Sequence, residues 1–170
     1  MRDYADFYLT LAWAFIHSPA RVEAFVFSTD IKRVTPLLER KIIRGIPMEA
    51  LVELKGGTRI GLSLSRLLHR YGGCLRGSTY LIVVSDGYDT GNLQLLRKTM
   101  NILAARVGRL IWMNPLLAEA GYEPVSGGIS TALPFIDHFI DVHDGASWRT
   151  AVQSRLFYSR PNLPGMRFQC

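Results

Sequence analysis

A chain of 170 residues that is 48% hydrophobic fits one globular domain built around a single core. Its formal net charge of +6 is spread over separated pairs such as Lys32–Arg33, Arg40–Lys41 and Arg97–Lys98, with no arginine stripe interleaved with aromatics, which argues against a nucleic-acid partner. Two cysteines, Cys74 and Cys170, make neither a disulfide framework nor a metal knuckle, and they point to a reduced, cytoplasmic setting.

The leading apolar run "FYLTLAWAFI" is preceded by Asp3 and Asp6, where a signal peptide would be basic, and it is too short to span a bilayer. It is predicted to be a soluble helix whose inner stripe is Tyr4, Phe7, Tyr8, Leu11 and Phe15, ended by Ser18-Pro19. "RVEAFVFST" is β-branched and aromatic, as expected of a strand covered on both faces, and "IKRVTPLL" reads as a shorter strand after a turn at Asp30. From Leu37 to Leu51 the pattern is helical but broken by Gly45 and Pro47. In "LSLSRLLHRYGG" Leu62, Leu64, Leu67, Leu68 and Tyr71 fall at helical spacing, with Gly72-Gly73 as the stop. A strand opens at Tyr80. A helix from Asn92, its N-cap, ends before Gly108, and "RLIWMNPL" is the next strand, closed by Asn114-Pro115. "FIDHFIDV" is the last strand, "ASWRTAVQSRL" a closing helix, and "YSRPNLPGMRFQC" a tail.

Strands alternating with helices and buried on both sides predict a doubly wound, mostly parallel α/β sheet. In such sheets ligands sit beyond the carboxyl ends of the strands. Asp86, which follows the apolar run from Tyr80, is therefore placed to bind something, although Asp86-Gly87 could equally be a plain strand-ending turn. Catalytic signals are weak. His17, His69, His138 and His143 form no His-Glu-x-x-His pair, and "GGTRIG" lacks the lysine of a phosphate loop. "DHFIDVHD" would put Asp137, Asp141 and His143 on one face of a strand, better explained as the polar rim of an edge strand than as a metal or acid–base site. The tryptophans and Met48, Met100 and Met113 are expected in the core or between helices.

Four segments in register, "AFVFST" at 24–29, "GGTRIG" at 56–61, "VVSDGYDTG" at 83–91 and "LIWMNPL" at 110–116, together resemble the von Willebrand factor A (VWA) domain, and more narrowly its CoxE-like branch. The resemblance covers residues 1–154, with 155–170 as a tail, and implies a metal-ion-dependent adhesion site at the top of the sheet. Thr58 and Asp86 match two of its ligand positions for Mg²⁺ (or Mn²⁺), hard cations that prefer oxygen donors. Arg59, Tyr88 and Asp89 flank them in loops and are the candidate partner contacts. The resemblance further implies no catalysis by the chain itself. It implies an adaptor that works with a MoxR-type AAA+ ATPase on a client metalloenzyme, as in carbon monoxide dehydrogenase systems.

The chain departs from the pattern in one respect. The Asp-x-Ser-x-Ser motif that ends the first strand in this family is absent, and the strand it belongs to has no counterpart before Met1, so a misassigned start or a shortened gene is expected. That strand runs centrally, between the strands placed near Val22–Ser28 and Leu81–Ser85. Its loss should leave two interior edges with unpaired backbone groups and an incomplete ion site that binds metal weakly or not at all. The alternative reading is a truncated or degenerate fragment without independent metal binding or activity.

Overall fold

The structure is a computed structural model that describes residues 4–40 and 57–154. Its centre is three parallel strands in the order β3 (Tyr80–Val84), β4 (Arg109–Met113), β5 (His138–Ile140), with Val83 beside Trp112 and Trp112 beside Phe139. Parallel neighbours need a long crossover, and here helices supply it. α4 (Leu93–Arg106) links β3 to β4, and the short α5 (Gly127–Ala132) lies between β4 and β5.

The alternation of side chains along each strand sorts the core into two layers. Leu81, Val83, Leu110 and Trp112 point to one face and pack with Leu64 and Leu67 of α3 (Ile60–Tyr71), with Leu96, Met100 and Leu103 of α4, and with Ile129 of α5. Ile82, Val84, Ile111 and Met113 point to the other, where Phe7 and Tyr8 of α1 (Ala5–Ile16) and Trp148 and Ala151 of α6 (Gly145–Gln153) cover them. The doubly wound α/β architecture is thus the one expected from near-continuous apolar strands.

The remaining strands, β1 (Phe25–Phe27) and β2 (Ile31–Arg33), form an antiparallel hairpin with Val26 opposite Lys32. The hairpin obeys the same two-sided rule. Phe25 and Phe27 pack on the α3 side, while Val26 is buried with Leu9 of α1, Val34 and Leu38. It therefore continues the layer of the sheet between the same two helices, yet among the described residues no strand hydrogen-bonds to both β1 and β3.

Three local expectations change. "IKRVTPLL" does not stay extended, because Pro36 fixes a helical φ at the first turn of α2 (Thr35–Glu39) and needs no N–H there. The Thr35 hydroxyl accepts the Ala24 N–H at 2.9 Å and donates to Glu23 at 2.8 Å, while Arg33 grips the same carboxylate at 2.6 and 2.9 Å, so the segment before β1 is tied to the one after β2. On α1 the most buried residue is Leu9, outside the predicted stripe, because this helix serves the hairpin through Leu9, Ala12 and Ile16 as well as the sheet through Phe7 and Tyr8. The last strand stops at Ile140 rather than reaching Val142. Residues 41–56, which hold most of the interrupted helical pattern and Met48, and the tail from 155 lie outside the described residues.

Candidate functional site at the carboxyl ends of the strands

β3 ends on Val84, and the chain then turns at the buried Ser85 and half-buried Asp86. Ser85 accepts the Gly87 N–H on its hydroxyl at 3.1 Å and the Trp112 indole N–H on its carbonyl at 2.8 Å, so the strand end is pinned to β4. One Asp86 carboxylate oxygen accepts the Tyr88 N–H at 3.1 Å, the local turn that Asp favours. The Asp86 carbonyl accepts the Tyr122 hydroxyl at 2.7 Å, and that hydroxyl in turn accepts an N–H of the fully buried Asn114 at 2.8 Å. Burial pushes the Tyr122 phenol above its ordinary range, the Asn114 hydrogen bond opposes this, and the charge on Asp86 adds to it. The hydroxyl therefore stays a proton donor at neutral pH.

Gly87 has φ +82, and a Cβ there would lie 2.6 Å from the Ile129 side chain, so only glycine lets this loop sit against α5. Ser126, just before α5, donates its hydroxyl to the Gly87 carbonyl at 2.8 Å.

The second loop at this end carries Thr58 and Arg59, immediately before α3. It is stitched to the first from several sides. The Thr58 carbonyl accepts both the N–H and the hydroxyl of Thr90, at 2.9 and 3.0 Å. The Asp89 carboxylate accepts the N–H groups of Ile60 at 3.1 Å, Gly61 at 3.2 Å and Gly91 at 2.7 Å, and so caps α3 from a loop 28 residues away. Exposed helix N–H groups and an anion are a favourable match. Gly61 allows α3 to come close enough: a Cβ on it would be 2.8 Å from the backbone nitrogen of Leu96 on α4. The Arg59 N–H reaches the Ser28 carbonyl at 2.8 Å, which ties the end of β1 to the same loop.

The structure thus brings Thr58, Arg59, Asp86, Tyr88 and Asp89 to one end of the molecule on two interlocked loops. Their roles differ. Arg59 and Tyr88 are exposed, whereas Asp89 is half-buried with both oxygens engaged. Sequence reasoning did not find Tyr122, Asn114 or Ser126, which hold the Asp86 loop in place; only the Asn114-Pro115 pair carried a signal, and it read as a strand end. The Asp141–His143 cluster proves to be a local pair, with His143 Nδ1 2.9 Å from Asp141, while Asp144 and Ser147 form a capping box at the start of α6.

For a divalent cation, Thr58 and Asp86 are donors of the right kind but few in number. Mg²⁺ takes six oxygens, so two protein ligands leave most of the shell to water. Among the described residues no cluster of three or more His, Cys, Asp or Glu side chains is arranged to hold a metal. Among them, too, no helix is long and apolar enough to cross a membrane.

A family model described as a VWA domain containing CoxE-like protein matches residues 1–148. No curated protein and no solved structure gives a match. The two-faced parallel sheet, the interlocked loops at its carboxyl ends and the family match agree: this chain belongs to the VWA family, in its CoxE-like branch.

Proposed function

We propose that this chain is a non-catalytic protein-binding module that uses the carboxyl-end face to engage a MoxR-type AAA+ ATPase, and through it a client metalloenzyme under maturation in the manner of carbon monoxide dehydrogenase systems. The observation that carries this reading is the make-up of the face. Three apolar side chains stand out around Asp86: Tyr88 is 56% exposed, Leu93 39% and Val125 72%. They are neighbours by construction, since Ser126 is bonded to Gly87 and a Cβ on Gly127 would lie 3.0 Å from Leu93. Exposed apolar and aromatic groups on a rigidly held loop suit a protein interface better than a reaction centre.

Thr58 and Asp86 would hold a hard cation beside these groups, a charge that an acidic partner residue can meet. With two ligands its affinity for Mg²⁺ should be weak, on the order of 1 mM or worse. Calorimetric titration with Mg²⁺ and Mn²⁺ checks this, and micromolar binding lost in Asp86→Asn would mean a more complete site. The partner reading is tested by measuring affinity for a MoxR-type ATPase of the same genome. Tyr88→Ala with Val125→Ser should abolish binding, and unchanged affinity would refute the assignment of the face. Among the described residues the hairpin and the three-stranded sheet share no strand pairing, which favours a second reading, a VWA-type module with no independent metal binding or activity. That reading predicts no ATPase binding by the unmodified chain.

A further inference from the structure

The opposite end of the sheet, where β3 and β4 begin, has a different character. β3 spans five residues, so this end lies roughly 13 Å or more from the Asp86 loop. Three arginines gather there around the turn at 72–79. Arg76 donates its Nε to the Gly73 carbonyl at 3.4 Å, Arg106 donates its Nε to the Leu75 carbonyl at 3.2 Å, and Arg109 donates an Nη to the Gly108 carbonyl at 2.9 Å. The turn and the start of β4 are joined, since Gly108 and Arg109 both donate their N–H to the Thr79 carbonyl, at 2.9 and 3.3 Å.

These guanidiniums are held by backbone carbonyls and not by carboxylates. Among the described residues Arg33 pairs with Glu23, and Arg66 and Arg70 with Asp30, but no ion pair involves Arg76, Arg106 or Arg109. Asp137, an acidic residue at this end, spends one carboxylate oxygen on the Leu110 N–H at 2.7 Å. Arg76 and Arg106 are exposed and anchored through Nε, which leaves their terminal nitrogens for an incoming group. Like charges held together repel, and a bidentate carboxylate relieves that repulsion in the geometry that arginine, unlike lysine, presents.

We infer that Arg76, Arg106 and Arg109 form a second docking surface, at the amino ends of the strands, for a carboxylate-rich segment of a partner protein. A phosphate backbone fits less well. It calls for a longer stripe of cations with several stacking aromatics, and among the described residues Tyr80 is the one exposed aromatic at this end. The surface is separate from the Asp86 face, so one copy of the chain can hold two proteins at once.

Fluorescence anisotropy of the full chain with a labelled hexaglutamate peptide at low salt tests this. Reversing Arg76→Glu with Arg106→Glu should weaken binding about tenfold or more, while Arg97→Glu with Lys98→Glu, the same charge change on exposed positions of α4, should change it less than about twofold. Arg76→Gln with Arg106→Gln, which keeps polar side chains of similar length, should weaken it in the same direction, and thermal melting confirms that each variant is folded. Equal weakening by both charge reversals would reduce the effect to net charge and overturn the proposal. So would undetectable binding by the unmodified chain, or tighter binding of a thymidine oligonucleotide of equal charge.

Discussion

β3 and β4 are neighbouring five-residue strands with different fates. "RLIWM" of β4 starts with an arginine, yet its last four residues are buried; "YLIVV" of β3 is apolar throughout, yet only Val83 is buried. Composition would rank them the other way. What separates them is company: β4 has a strand on each side, whereas β3 is paired along one edge only among the described residues. Burial along a strand is thus set by its place in the sheet, and the hairpin, whose strands pair only with each other among the described residues, is held to the rest by helix packing.

This contrast can be probed from its strongest point outwards. Trp112→Ala should be the most destabilising single change, by about 3–5 kcal/mol in denaturant unfolding, because it empties the core and strips the Ser85 carbonyl of its donor. A similar loss from Tyr80→Ala, on the exposed end of β3, would break the comparison. Asp89→Ala comes next, at about 2 kcal/mol, since it strands three N–H groups and unlocks the two loops at the carboxyl ends of the strands. Phe25→Ala should cost about 1 kcal/mol, because its ring is half-buried against Tyr71 at 4.8 Å and serves a hairpin outside the main ladder.

The smallest effect concerns pH. The hydrogen bond that His143 donates to Asp141, reinforced by the charge on that carboxylate, raises the His143 pKa above its ordinary value, so the protonated form is favoured in the folded state. The stabilisation is fully present below the unfolded value of about 6.5 and fades as pH rises through the raised midpoint. Asp141→Asn should bring that midpoint down in an NMR titration, and a midpoint that stays put would assign the shift to other neighbours.

The sequence made the sheet legible because its strands are short apolar runs bounded by turn residues, and because Asn92 and Gly108 mark the ends of α4 by their own chemistry. The capping of Leu95 N–H by Asn92 at 3.0 Å is what that spacing foretold. It made the site legible only as a set of positions. That Thr58 and Asp86 share an end was implied by the resemblance to the VWA domain. That Asp89 would spend its carboxylate on the start of a helix 28 residues earlier did not, since such a cap depends on tertiary contact and leaves no local pattern. Tyr122 escaped for the same reason: its partners Asn114 and Asp86 lie 8 and 36 residues away. The helical turn at Pro36 was legible in principle, from proline's preference for the first turn, but the β-branched residues ahead of it gave the stronger signal.

The central claim is that the loops around Asp86 are where another protein binds. Amide hydrogen exchange of the chain, alone and with a MoxR-type ATPase in excess, tests it most directly. The account predicts slowed exchange at Thr58–Arg59, at Asp86–Leu93 and around Val125. Complex formation that leaves those amides unchanged would contradict it.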